Sequence, residues 1–124
     1  MTNLNFQQKI AILRILLDII NADGRIDARE TFFFNKVSKE LGLSEEDKPF
    51  VEEANSLLSV VEVNHFNENQ KKAFAEMMGQ LIVVDDDINV NELAIYKLVC
   101  KTCDIATPFE AVVTDDQLNN STRS

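Results

Sequence analysis

Apolar residues recur at the spacing of an α-helix in successive segments of the chain, and short polar or acidic stretches separate these segments. The first segment, residues 6–22, is apolar almost all round, which predicts a helix buried at the centre of the protein. Gly24 follows it, at a position where helices commonly end in a residue with positive φ. The second segment begins at Asp27 and is stopped by Gly42. We therefore predict an all-α protein that folds as a compact helical bundle.

Further segments bring the expected number of helices to about six. Residues 44–47 have the composition of a helix cap and an acidic first turn. The third helix after them carries an apolar stripe of Phe50, Val51, Ala54, Leu57, Leu58 and Val61. A polar linker at 64–69 leads to a fourth helix at 66–84 and a fifth at 89–103. A threonine, a proline and a glutamate typical of a helix start predict a short sixth helix at 107–118.

The chain contains an internal repeat. A shift of 62 residues places Asp23 on Asp85, and no gap is needed in the alignment of the flanking segments. The same shift also matches Gln8 with Gln70, Lys9 with Lys71, Ala11 with Ala73, Ile26 with Ile88, Glu30 with Glu92, Val37 with Val99 and Lys39 with Lys101. We therefore predict two pseudo-repeated helix–acidic turn–helix units, at 4–43 and 66–105, with their central helices packed against each other.

Length and composition limit the possible functions. The 124 residues suit one domain, which we place at 1–118 with a flexible tail at 119–124. The 12 basic and 21 acidic residues give a net charge of −9. Such a surface repels nucleic acid and anionic membranes and attracts cations and basic partners. Solubility alone also explains an acidic composition. The apolar runs are short and interrupted by charges, so we expect no direct membrane insertion. With 2 cysteines and no secretory leader, the expected location is cytoplasmic.

The two acidic turns have two interpretations, and the residues leave both open. In the first, Asp27 and Asn89 are helix N-caps, and Glu30 and Glu92 close capping boxes, so that no metal is needed. The second is a divalent-cation site, because carboxylates at the C-terminal ends of helices are disfavoured by the helix dipole and repel one another. If the two turns meet, the candidate ligands are Asp23, Asp27, Asp85, Asp87 and Glu92. Oxygen ligands alone suit Ca²⁺, Mg²⁺ or Mn²⁺ rather than Zn²⁺.

Neither turn is an EF-hand, because Ile19 and Leu81 would occupy the first ligand position of such a loop. The motifs instead resemble the TerB-like (tellurite-resistance) family. The resemblance is carried by Ala-Asp-Gly-x-Ile-Asp-x-x-Glu at 22–30, by a following helix that ends Leu-Gly-Leu-Ser at 41–44, and by the second acidic motif at 81–92.

The resemblance implies an all-helical fold of two pseudo-repeated bundles and a non-catalytic role in stress-response or membrane-associated assemblies. It also implies a divalent-metal site, whose matching positions here are Asp23, Asp27, Glu30, Asp85, Asp87 and Glu92. The second motif departs from the pattern, since Asp86 stands where a glycine is expected and Asn89 where an aspartate is expected.

The other chemically distinctive residues favour structural roles. Cys100 and Cys103 fall at a helix C-terminus, where the dipole does not activate a thiol, so we expect core cysteines rather than a redox or zinc pair. His65 has no catalytic partner in the sequence and is expected in a surface loop. Phe32 is expected either to be exposed for a partner or to pack on a neighbouring helix, while the two phenylalanines after it enter the core.

Three functions are compatible with these observations. The first is a non-catalytic binding module that holds a divalent cation at the paired acidic turns. The second is a metal-free protein–protein interaction domain with an unknown protein partner, bound through the acidic face or Phe32. A metal-assisted hydrolase is least favoured, because the sequence has no glycine-rich phosphate loop and no nucleophile motif with a base. We therefore assign no catalytic residue and no organic cofactor, and predict that the protein is not an enzyme.

Overall fold

The computed structural model describes residues 3–84 and 88–105. Within these ranges the chain forms six α-helices, one 3₁₀ turn and no strand, so the all-α prediction is confirmed. The helices are α1 (Phe6–Ile20), α2 (Ala28–Glu40), α3 (Lys48–Glu53), α4 (Ser56–Asn64), α5 (Glu68–Val83) and α6 (Val90–Thr102), and the 3₁₀ turn is Glu45–Asp47. None of these helices is long and apolar enough to cross a membrane. The predicted helix at 107–118 and the tail at 119–124 lie outside the described residues.

Helix α1 lies at the centre of the bundle, as its sequence predicts. It contacts each of the other five helices, and most extensively α4. Ile12, Leu16 and Ile19 on α1 are fully buried, at 0% exposure. A helix that is apolar on all sides has no face to present to water, so it is stable only when other elements surround it. Helix α5 supplies much of the remaining core, including Phe74 and Met78.

The starts of α1 and α5 share one local geometry. The Asn5 side chain accepts a hydrogen bond from the Gln8 amide at 2.8 Å, and the Gln8 side chain accepts one from the Asn5 amide at 2.9 Å. Asn67 and Gln70 form the same reciprocal capping box, at 2.8 and 3.0 Å. Both pairs fall at positions that the 62-residue shift relates. The repeat itself, as two superposable halves, stays a prediction.

Both predicted helix stops have the backbone that favours glycine. Gly24 and Gly42 have φ of 75° and 78°, in the left-handed region that residues with a side chain rarely adopt. Helix α1 ends with Asn21 as its C-cap, and α2 ends with Leu41 as its C-cap. Asp104, after α6, also has a positive φ of 55°. A glycine with positive φ therefore follows the end of α1 and the end of α2, as the sequence predicts.

The predicted third helix is wrong, because the chain forms two helices there. Ala54 has an extended backbone with ψ of 145°, which ends α3. Asn55 then begins α4, since its side chain accepts a hydrogen bond from the Leu58 amide at 2.9 Å. The extended residue interrupts the helical periodicity, so the predicted apolar stripe does not face the core as one surface. The exposed members and their exposed fractions are Phe50 56%, Leu57 78%, Leu58 68% and Val61 52%.

The guanidinium of Arg14 spans the interruption between α3 and α4. It donates to the carbonyl of Glu52 at 2.9 Å and to that of Val51 at 3.4 Å, both in the last turn of α3. It also donates to the Ser56 hydroxyl at the first residue of α4, at 3.3 Å. The guanidinium also forms an ion pair with Asp18, one turn further along α1, at 2.8 Å. One α1 side chain thus satisfies carbonyls that the end of a helix leaves without intrahelical partners.

The predicted polar linker at 64–69 is also corrected. Helix α4 extends to Asn64 and α5 begins at Glu68, so the connection is shorter than expected. Phe66 within it is only 4% exposed. Its ring packs edge-on against that of Phe74, with the ring centroids 6.4 Å apart. Favourable aromatic pairs have centroids about 4.5–7 Å apart. A single aromatic residue therefore anchors a connection whose other residues are polar.

Candidate functional site

The turn between α1 and α2 contacts the start of α6. The Asn89 side-chain amide donates to Oδ2 of Asp23 at 3.4 Å, across 66 residues of sequence. The other carboxylate oxygen of Asp23 accepts from the Arg25 amide at 2.9 Å, within the first turn. Asp23 and Asn89 are both half-buried. This pair brings the turn after α1 within hydrogen-bond distance of the N-cap of α6.

Asp27 is the N-cap of α2, as the first interpretation of the turns predicts. Its Oδ1 accepts from the Arg29 amide at 2.7 Å and lies 3.3 Å from the Arg29 guanidinium. The hydrogen bond from the Arg29 side chain is the main cause that lowers the pKa of Asp27 below its ordinary value. Because the pKa of Asp27 is lower in the folded state than in the unfolded state, its ionisation stabilises the folded protein at pH values above the ordinary pKa. This stabilisation is lost as the pH falls through the lower pKa of the folded state. Asp27 is consequently anionic at neutral pH and already has a cationic neighbour.

Glu30 and Glu92, which the 62-residue shift of the sequence aligns, are both buried. Each is only 2% exposed. Glutamate is among the residues least often fully buried, because removing a carboxylate from water is costly. In the first interpretation of the turns, both glutamates close capping boxes. The structure instead places them in the interior, and the caps of α2 and α6 are formed by the side chains of Asp27 and Asn89.

The Asn89 side chain both caps α6 and contacts the turn after α1. The side-chain oxygen Oδ1 of Asn89 accepts hydrogen bonds from the backbone amides of Asn91 at 2.8 Å and Glu92 at 3.1 Å. Its amide nitrogen is the group that donates to Asp23. An aspartate at this position would have no N–H to donate. The asparagine therefore joins the two turns where a second carboxylate would repel the first.

The predicted ligand set is only partly accounted for. Asp85 and Asp87 lie outside the described residues. Within 3–84 and 88–105, no three His, Cys, Asp or Glu side chains form a group that could hold a metal ion. Asp23, Asp27, Glu30 and Glu92 therefore do not make a complete cation site by themselves. A site at these turns needs further oxygen ligands.

The two cysteines belong to the core, as predicted. Cys100 is 9% exposed and Cys103 is 0% exposed, and both are free thiols. The Cys103 thiol donates to the carbonyl of Val60 on α4 at 3.4 Å. Burial raises the pKa of both thiols. Both are therefore protonated at neutral pH, which is the unreactive form.

We expect both thiols to resist alkylation in the native protein. At pH 7.5 iodoacetamide should modify Cys100 and Cys103 far more slowly than it modifies the same residues after unfolding in urea, because the native thiols are buried and protonated. Mass spectrometry of timed samples measures the modified fraction. Equal rates in native and unfolded protein would contradict the buried positions.

His65 and Phe32 are at the surface. His65 is exposed at the C-terminus of α4, with Nδ1 2.9 Å from the carbonyl of Val61. That carbonyl is one of those that a helix end leaves available, so the imidazole has a structural partner. Phe32 is 73% exposed, whereas Phe33 and Phe34 are half-buried against the core. These positions agree with the sequence-based prediction for all four aromatic side chains.

Comparisons with known proteins identify the fold and no function. No family model matches the chain, and no curated protein matches it. A crystal structure of a protein of unknown function from Porphyromonas gingivalis W83 is similar, with a TM-score of 0.72 and 21% sequence identity. The alignment covers 98% of this chain and 92% of that chain. At this identity the likeness extends to the fold alone, and the resemblance to the TerB-like family stays a prediction.

Proposed function

We propose that the protein is a non-catalytic binding module of the TerB-like type, in which the two acidic turns together hold a hard divalent cation. Asp23 supplies a carboxylate from the first turn, and Asp85 and Asp87 supply carboxylates from the second. Glu30 and Glu92 are the remaining positions that the family resemblance implies, and both are buried. Ca²⁺, Mg²⁺ and Mn²⁺ are the candidate ions, since all the proposed ligands are hard oxygens.

One observation carries this proposal: the hydrogen bond of 3.4 Å between Asp23 and Asn89. A site shared between two turns requires that residues far apart in sequence be close in space. This bond places the start of the turn after α1 beside Asn89, the N-cap of α6, which lies two residues after the aspartate run at 85–87 in the sequence. The net charge of −9 favours the approach of any cation to this surface.

The biological setting that we propose follows from the family resemblance. A cation-holding module without catalytic machinery acts by presenting a surface whose shape or charge depends on the ion. Such a module suits a stress-response or membrane-associated assembly, in which another protein is its partner. We place the protein in the cytoplasm, where Mg²⁺ is abundant and Ca²⁺ is a transient signal.

Thermal melts of metal-stripped protein test the proposal. We expect one of Ca²⁺, Mg²⁺ and Mn²⁺ to raise the melting temperature at fixed ionic strength, because an ion that binds only the native state stabilises it. At an ion concentration of about 100 times Kd the gain is about 2.7 kcal/mol. Asp23→Asn combined with Asp85→Asn should abolish the gain.

A matched pair of substitutions controls for the loss of two negative charges. Glu46 and Glu76 are exposed and lie outside the acidic turns. Glu46→Gln combined with Glu76→Gln should leave the ion-dependent gain intact. If no ion raises the melting temperature at millimolar concentration, the cation proposal fails. If the control pair loses the gain as well, the ion acts by general screening rather than at the turns.

A metal-free protein-interaction domain is the second candidate. The observation that favours it is the number of large apolar side chains at the surface, of which Phe32 at 73% exposure is the one anticipated from sequence. Exposed apolar groups in contiguous patches commonly mark protein-binding surfaces. This candidate predicts melting temperatures that do not respond to the identity of the divalent ion.

A further inference from the structure

An apolar groove lies between the first turn of α1, α3 and α4, on a surface that contains none of the proposed cation ligands. It has a volume of about 490 Å³. Ile10, Ala11 and Ala54 are among its lining residues, and Phe6, Phe50, Leu58 and Val61 are its exposed apolar members. The rings of Phe6 and Phe50 pack edge-to-face, with centroids 5.5 Å apart.

The outward side of α4 extends this apolar surface. Leu57, Leu58 and Val61 lie on one side of the helix by their spacing, and they are 78%, 68% and 52% exposed. The opposite side, with Ser59 and Val63, is buried in the bundle. A helix that is apolar on both its buried and its exposed side is unusual in a monomeric protein. The exposed side has the composition of a contact surface.

The charges around the groove have one sign. Glu53 and Glu62 are the charged residues that line it, and no described lining residue is basic. Glu53 is exposed and Glu62 is half-buried. An apolar centre with an acidic rim is complementary to a ligand that has an apolar face and positively charged neighbours.

Two occupants from the protein itself are disfavoured by the same charges. A second copy of the chain would bring a net charge of −9 toward an acidic rim. The chain's own segment 106–124 carries Glu110, Asp115 and Asp116 but only one basic residue, Arg123. Like charges brought together at an interface reduce affinity. A basic partner is therefore the occupant that the rim favours.

We propose that this groove binds an amphipathic helix of a partner protein, with apolar residues on one face and lysines or arginines beside them. A helix presents side chains at i, i+3, i+4 and i+7 along one line, which is how helices fill grooves between other helices. The apolar side chains contact Phe6, Phe50, Leu58 and Val61, and the basic side chains pair with Glu53 and Glu62. The inference does not depend on the cation site.

A synthetic peptide tests this with the full chain. The probe is about 15 residues long, with leucines at i, i+3, i+4 and i+7 and lysines on the flanks, and its counterpart has glutamates in place of the lysines. Fluorescence anisotropy measures binding to each. We expect the lysine peptide to bind, and Leu58→Ser or Glu53→Lys with Glu62→Lys to weaken it at least about tenfold.

Two control variants separate the groove from general attraction to an acidic protein. Leu98→Ser makes the same change as Leu58→Ser at a leucine of α6 that is 63% exposed and does not line the groove. Glu76→Lys with Glu46→Lys changes the net charge by as much as Glu53→Lys with Glu62→Lys does, but at exposed positions outside the groove. Both should leave the affinity within about twofold of the parent, since neither alters the groove. Equal weakening by the groove variants and these controls would overturn the proposal.

Other outcomes would also overturn it. No binding of the lysine peptide, or equal binding of the glutamate peptide, excludes a basic helix as the ligand. Sedimentation equilibrium that shows a dimer weakened by Leu58→Ser assigns the groove to a second copy. A rise of at least about tenfold in peptide affinity on Phe109→Ser would assign the groove of the intact chain to its own segment 106–124 rather than to a partner helix.

Discussion

Replacing Phe74 by alanine should destabilise the protein by about 3–5 kcal/mol, the largest effect that we expect of a single substitution. Phe74 is fully buried, at 0% exposure, in the middle of α5. Its ring also packs edge-on against Phe66, with centroids 6.4 Å apart. Truncation removes the buried ring and leaves a cavity that surrounding helices fill only in part. Urea denaturation followed by circular dichroism measures the change in free energy of unfolding.

Phe32→Ala is the matched control for that substitution. It removes the same side chain from a position that is 73% exposed. The change in unfolding free energy should stay within about 0.5 kcal/mol, as for most surface substitutions. Comparable losses for the two variants would mean that Phe32 is covered in solution, and a small loss for Phe74→Ala would contradict its central position in the core.

Arg14→Ala should have the second-largest effect, a loss of about 1.5–3 kcal/mol of stability. The Arg14 guanidinium donates to the carbonyls of Val51 and Glu52 and to the Ser56 hydroxyl, and it pairs with Asp18. Its removal leaves the last carbonyls of α3 without this donor in a partly buried region. Bonds that involve a charged donor contribute more than neutral ones, and leaving their acceptors unsatisfied adds a desolvation cost. The same urea denaturation measures the loss.

Two further variants identify the source of that loss. Arg14→Lys keeps the positive charge beside Asp18, but an ammonium group lacks the planar fork that reaches several acceptors at once. We therefore expect it to recover only a minor part of the stability. Arg25→Ala removes an exposed arginine and should have little effect. Full recovery by lysine would show that the ion pair with Asp18, rather than the bonds across the interruption, is what stabilises the fold.

The helices that the sequence predicts well are those whose signals are local. The all-round apolar pattern of 6–22 requires burial wherever the other helices lie, and α1 is indeed central. Gly24, Gly42 and the cap at Asp27 act through their own backbone or through neighbours a few residues away. Such features depend little on the rest of the fold, so the sequence alone is enough to predict them.

The interruption between α3 and α4 shows where local signals fail. Ala54 is a good helix former, and the apolar residues on either side of it continue at helical spacing. The extended conformation at Ala54 is stabilised from outside the segment, by Arg14 bonds to residues 37 and 38 positions further along the chain. Asparagine is a common N-cap residue, but one asparagine at position 55 does not outweigh an apolar periodicity that continues through it. The buried Phe66 was missed for a similar reason, since the residues around it are polar.

The candidate site was predictable in composition but not in geometry. The sequence identified Asp23, Asp27, Glu30 and Glu92 as the distinctive carboxylates of the described turns. It could not show that both glutamates are buried, because glutamates usually remain at the surface and burial depends on the packing of separate helices. The link between Asp23 and Asn89 depends on tertiary structure in the same way.

Helix α4, which follows the short extended connection at Ala54 and Asn55, carries two separate sets of residues, one buried and one exposed. Ser59 and Val63 hold α4 against the bundle, whereas Leu57, Leu58 and Val61 face outward, and the two sets share no residue. Substitutions in the outward set therefore leave the core intact. Homologues can therefore vary this outward surface while they keep the same fold, so divergence among relatives should concentrate on one side of a single short helix.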